Sequence, residues 1–252
     1  KISVSNLTIE APEGAGIVIT QSSDVRLKDV IVNKAKSDGV AIASSSNVCL
    51  ESIIVKNAAV NAVRLGAKSK GVQIRTSLLA LSPAGIYFDG TSAGAIIVNN
   101  QIDCTKYALS GVAFDPDDPD AGAIIANNTF NVGTVYLTGG RKIKITGNTF
   151  LRVKGDTVAL QISGSADQPF ADSIITDNTI GNFNDKYSNN QHRHYSPNLL
   201  CHKHWPFLRI HLANPVSNYK LFLVDSKKSP ASELLNLHFL YLDAHKIAAL
   251  SL

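Results

Sequence analysis

Histidine is missing from the first 181 residues of this 252-residue chain, and glycine is missing after Gly181. The first absence removes the side chain that most readily moves protons near neutral pH, so acid–base work in that region falls to Asp, Tyr, Arg or Lys. Cysteine is scarce: Cys49, Cys104 and Cys201 are odd in number and far apart. That excludes a disulfide framework and fits buried small apolar side chains. Aromatics make up only 7% of residues, which suits short strands and tight corners better than a few large core rings. No run of 18 apolar residues exists, so no helical membrane span is expected, and no signal peptide is visible. A net charge of +4 is too small to argue for nucleic acid.

What is present is a repeat. Gly111 to Phe130 holds one complete unit, and its Val112-Ala113-Phe114 has the form of Ile17-Val18-Ile19, Val40-Ala41-Ile42, Val63-Arg64-Leu65, Ile86-Tyr87-Phe88, Val135-Tyr136-Leu137 and Val158-Ala159-Leu160. The steps between first positions are 23, 23, 23, 26, 23 and 23 residues, a period in the range of stacked repeat architectures. Each unit carries a second strand, from VRLKDVIV at 25–32 to SIITDNTI at 173–180. The opening ISVSNLTI fits the same template, so the chain is expected to start partway through a coil with an upstream part before it. Alternation with period two makes these half-buried strands. Two short strands per period exclude a helical repeat and a four-stranded propeller blade. The expected fold is all-β: a solenoid of about eight coils whose rungs stack about 4.8 Å apart. Asn100, Asn128, Asn148 and Asn178 share one template column and predict an inward ladder of amides; Val30, Ile53 and Ser77 hold that column earlier.

The ITGNTF, IANNTF and ITDNTI units and the Gly-apolar-x-apolar strands resemble the right-handed parallel β-helix repeats of the pectate-lyase-like superfamily, over residues 1–181. The resemblance implies the fold and leaves function broad, since the superfamily includes lyases, hydrolases, epimerases, phage tailspikes and adhesins. FDPDDPDAGAIIANNTF also resembles the Asp-Pro-His segment of the mannuronan C5-epimerases. Asp115 and Pro116 match it, and Asp117 stands where that family has its functional His. Ser37-Asp38-Gly39-Val40 is similar to the Asn-Thr-Asp-Gly strand of the polygalacturonan hydrolases, whose paired Asp-Asp strand and Gly-His-Gly motif are absent here.

If the first and third residues of each first strand face inward, the second and fourth face out. The outward columns then read Val18, Ala41, Arg64, Tyr87, Ala113, Tyr136, Ala159 and Thr20, Ala43, Gly66, Asp89, Asp115, Thr138, Gln161. Asp89 and Asp115 are thus expected on consecutive rungs, roughly 5 Å apart. Two long corners, Asp115–Gly122 and Ser163–Asp172, leave the same edge two coils apart and wall in this face. Aromatic rings beside carboxylates and an Arg suit a sugar site. Asp89, Asp115 and Arg64 are the catalytic candidates, and Tyr87, Tyr136, Gln161 and Arg141 the substrate-binding ones. A β-elimination would use a cation or Arg to neutralise a uronate, with Arg, Lys or Tyr taking the proton; a glycosidase would use the Asp pair. Asp117, Asp118 and Asp120 form an oxygen-rich run that suits Ca²⁺, without EF-hand spacing; a Pro-stiffened acidic turn explains it equally.

Composition breaks at residue 181. All seven His and Trp205 lie beyond it. His192 with His194 and His202 with His204 have metal-ligand character but no completing partner. Ser229-Pro230 and the leucines that follow read as a capped helix suited to closing the tube; the whole segment 182–252 also has the composition of an out-of-frame translation. The expected function is binding, with lyase- or glycosidase-type cleavage as the catalytic option, of an extracellular acidic polysaccharide. The alternative is a non-catalytic adhesive or structural β-helix at a cell or virion surface, for which the tailspike resemblance brings an oligomer into consideration.

Overall fold

In the computed structural model, residues 1–90, 92–113, 122–151, 158–163, 170–180, 199–201 and 209–213 are described. Their strands coil into a right-handed parallel β-helix with three walls. Wall one begins at Ile2–Ser5, Val25–Lys28 and Cys49–Glu51 and ends at Ser173–Thr176. Wall two begins at Thr8–Glu10 and Ile31–Asn33 and ends at Thr179–Ile180. Wall three begins at Ile17–Thr20, Val40–Ala43, Asn61–Leu65 and Ala84–Phe88 and ends at Val158–Ser163. Two long strands, Gln101–Ala113 and Thr129–Arg141, run through walls two and three without a break. Wall three has seven parallel rungs and so about six complete turns, slightly fewer than the eight coils counted in the sequence. Among the described residues there is no helix.

Three strands per lap arise where the sequence template suggests two. The fifth template position bends the second strand into walls one and two by adopting a left-handed backbone. Asn6, Asp29, Ser52, Thr76, Asn99, Asn127 and Asp177 have φ between 50° and 57° there, and Gly147 takes the same place at 64°. Asn, Asp and Gly tolerate that region better than other residues, which is why those types recur at the corner.

The interior is filled by columns. Val4, Leu27, Leu50, Ile74, Ile97, Ile125, Ile145 and Ile175 stand one above another on wall one, and from Leu27 onward all are buried. Val32, Val55, Leu79, Ile102, Phe130 and Phe150 do the same on wall two; the rings of Phe130 and Phe150 lie 4.9 Å apart. Every turn repeats the same burial, so each coil is a template for the next.

The corner after the left-handed residue would bury polar backbone, and the amide ladder satisfies it. Asn128 donates through Nδ2 to the Ile97 carbonyl at 2.9 Å and to Asn148 Oδ1 at 3.0 Å. Asn148 donates likewise to the Ile125 carbonyl at 2.8 Å and to Asn178 Oδ1 at 2.9 Å. The ladder reaches further back than the amides alone: Ser77 donates its N–H to Asn100 Oδ1 at 3.0 Å, and its hydroxyl accepts the Ile53 N–H at 3.1 Å.

Two tail segments are described. Leu199–Cys201 pairs antiparallel with Ser173–Thr176, and Arg209–Ala213 pairs antiparallel with Val158–Ser163, so two tail strands lie along the last rungs of walls one and three. The His192/His194 and His202/His204 pairs and the helix expected after Ser229 lie outside the described residues.

Two outcomes follow. Asn148→Ala leaves the Asn128 N–H and the Ile125 carbonyl without their buried partners, and the midpoint of urea unfolding should fall by the equivalent of about 3 kcal/mol with the native sheet spectrum retained. Cys104 is buried inside wall two with its thiol pKa pushed up to about 12, chiefly by desolvation. It therefore stays protonated through the ordinary pH range, whereas Cys49 is partly exposed on the outside of wall one. Iodoacetamide at mildly alkaline pH should modify Cys49 and spare Cys104 until urea opens the tube, as read by peptide mass spectrometry.

Candidate functional site

Two columns of wall three build the site, because its inward residues are held in register. The middle column reads Val18, Ala41, Arg64, Tyr87, Ser110, Tyr136 and Gln161. The column at the entry of the wall includes Asn61, Ala84, Tyr107 and Thr134. This register corrects the sequence reading at two rungs. Leu109, not Val112, stands on Ile86, and Leu160, not Val158, stands on Val135. Phe88 is level with Gly111. The physical reason is at Gly111. Its φ is 111°, and a Cβ there would lie 2.0 Å from the Phe88 carbonyl oxygen. Only glycine fits above that backbone, so Gly111 ends the inward pair that Leu109 begins. At the last rung the register of Leu160 on Val135 moves Gln161 from the fourth column into the middle one, next to Tyr136.

Arg64 is the hub of the lower half. Its Nε donates to Asp38 Oδ2 at 2.7 Å and its Nη1 to Asp89 Oδ2 at 3.2 Å. Asp38 is buried, and its other oxygen accepts from Asn61 Nδ2 at 2.8 Å. Both carboxylate oxygens are thereby satisfied, which a buried carboxylate requires. The hydrogen bond that Arg64 donates to Asp38 raises the Arg64 pKa above its ordinary value; Asp89 adds to this and partial burial opposes it. The three groups span three consecutive turns, carrying two carboxylates on one guanidinium.

The upper half is aromatic. Tyr107 and Tyr136 stack with ring centroids 6.2 Å apart and an interplanar angle of 28°. Lys106 Nζ lies 5.0 Å from the Tyr107 ring centre, a cation–π arrangement. Tyr87 neighbours Arg64 on the next rung, and buried Ser110 separates Tyr87 from Tyr136. The face thus offers rings, a cation and hydrogen-bonding groups at steps of about 4.8 Å.

The structure brings Arg64, Tyr87, Asp89, Tyr136 and Gln161 to one wall. Arg141 sits at the exit edge of that wall, paired with Asp172 at 3.0 Å. Asp115, Asp117, Asp118 and Asp120 lie outside the described residues, and so does most of the second long corner. Among the described residues no cluster of three or more His, Cys, Asp or Glu could hold a metal ion. Asp38 appears in the sequence only as part of a strand resemblance, and Asn61, Lys106 and Tyr107 escape notice. Their signal is the same 23-residue step: Asp38, Asn61, Ala84 and Tyr107 each precede an inward residue by two.

Residues 1–102 match the family model of the right handed beta helix region. No curated protein matches. Two solved structures of trypsin-treated QnrB1, a plasmid-mediated fluoroquinolone resistance protein, are similar at low level. One has 13% identity, a TM-score of 0.33, and covers 60% of this chain and 75% of that one. The other has 10% identity, a TM-score of 0.19, and covers 60% and 72%. Likeness at those scores carries no weight for fold or function. The matched segment and the turns that continue it through Ile180 have one architecture, and that architecture is the right-handed parallel β-helix.

Proposed function

We propose that the outer face of wall three binds an acidic polysaccharide outside the cell. The observation that carries the reading is the stacked Tyr107–Tyr136 pair, with Lys106 on one ring and Arg64 on the same wall. Sugar rings present C–H faces that pack on aromatic rings, while their hydroxyls and carboxylates need polar and cationic partners at the rim. Tyr87, Tyr107 and Tyr136 supply the rings, Gln161 a hydroxyl partner, and Arg64 and Lys106 the charge for a uronate. A stiff, evenly stepped wall suits an extended chain better than a small molecule, which needs an enclosing pocket.

Binding is a better match to this geometry than cleavage. Asp89 is engaged with Arg64. The pair of carboxylates in a retaining glycosidase must be free to act across the scissile bond, and Asp89 is held by a guanidinium. That engagement favours an adhesive or recognition role.

Tyr136→Ala should weaken binding of soluble polygalacturonate about fivefold, from loss of roughly 1 kcal/mol of ring packing, with the thermal midpoint nearly unchanged because the ring is on the outer face. Calorimetric titration measures the first and a thermal melt the second. Absence of binding by the unaltered protein across a panel of uronate polymers would end the polysaccharide reading.

A further inference from the structure

The two ion pairs of Arg64 are unequal. Asp38 meets Nε at 2.7 Å with its side chain 7% exposed, while Asp89 meets Nη1 at 3.2 Å with its side chain 47% exposed. The inner contact is short, shielded and braced by Asn61. The outer one is long and open to water.

We propose that Asp89 occupies, in the free protein, the place on Arg64 that a ligand carboxylate takes when bound, with Asp38 and Asn61 as positioning residues that keep the guanidinium in place during the exchange. This deepens the polysaccharide reading and rests on it. Four observations support it. A solvated pair such as Arg64–Asp89 is worth little, so releasing it costs little. The guanidinium fork binds a carboxylate of any origin with the same geometry, and Asp38 holds the fork by its Nε, leaving the Nη end directed toward Asp89. Tyr87 is the register neighbour of Arg64 on the next rung. Asp89 follows Tyr87 by two residues on the same wall and therefore lies on the same outward side. A sugar resting on Tyr87 would bring its carboxylate down where the Asp89 carboxylate now lies.

The consequence is selectivity set by competition. Asp89 repels anions and occupies the cation, so a lone carboxylate gains little. A uronate that also packs on the rings displaces Asp89, and a neutral or esterified sugar has no claim on Arg64. Removing the competitor should therefore tighten the acid ligand, the opposite of what deleting an ordinary binding residue does.

The test uses the full chain with tri-galacturonate and its methyl ester, titrated by calorimetry. Asp89→Asn is expected to tighten the acid form about fivefold and leave the ester within about twofold. Arg64→Gln should abolish the preference for acid over ester, and Asp38→Asn should reduce it. A thermal melt of each variant reports whether it folds. Asp89→Asn changes only an exposed contact and keeps the test decisive if the Arg64 or Asp38 variant does not fold. Unchanged or weaker acid binding by Asp89→Asn overturns this inference while the polysaccharide reading stands. Failure of the unaltered protein to bind either trisaccharide or any uronate polymer overturns both.

Discussion

Vertical register is the constraint on which everything else depends. Aliphatic side chains on three walls must stand over those of the coil beneath, and a slip of one residue would turn a whole rung inside out. Leu27, Leu50, Ile74 and Ile97 hold wall one in place, and the other two walls are tied to it by corners of few residues. The outer surface has no freedom of its own. Arg64, Tyr87, Ser110 and Tyr136 follow one another up the wall because Val63, Ile86, Leu109 and Val135 do. The outer face of wall three is the reverse side of a packing solution.

Corners are where such a tube would fail, since each lap must bend its backbone in a place away from water. Left-handed residues make one bend, and inward side chains accept the N–H groups and cover the carbonyls that the bend leaves unpaired. The lower coils manage with Val30 and Ile53, and polar members enter at Ser77 and continue as amides. The same division of labour appears at wall three: buried Asp38 is acceptable because Asn61 and Arg64 meet both its oxygens, and it in turn holds a cation steady at the surface.

Most of the architecture was legible in the chain because a 23-residue step is a long-range ruler. Alternation marks the strands, and the Asn column marks the ladder. Reading two strands per lap instead of three came from treating VRLKDVIV as straight, although an Asp, Asn or Gly at its fifth position marks a bend. The error at Val112 has a specific source. Gly111-Val112-Ala113-Phe114 imitates the Gly-apolar openings at Gly16, Gly39 and Gly85, yet the unbroken step from Ile86 leads to Leu109. Gly111 is needed above Phe88, not ahead of a strand. Choosing Leu109 would have exposed the column of Asp38, Asn61, Ala84 and Tyr107, and with it half of the candidate site. The Arg64 hub was less accessible, since its contacts reach diagonally across rungs and depend on how a long side chain lies.

The amide ladder has one more property. Asn100, Asn128 and Asn148 each turn Nδ2 toward the next coil and Oδ1 toward the one before. The amide dipoles therefore point one way along the axis and polarise one another. Inverting a single amide would set donor against donor on one side and acceptor against acceptor on the other. The orientation of the column is thus a collective choice, giving a tube of nearly identical turns an intrinsic up and down at its core.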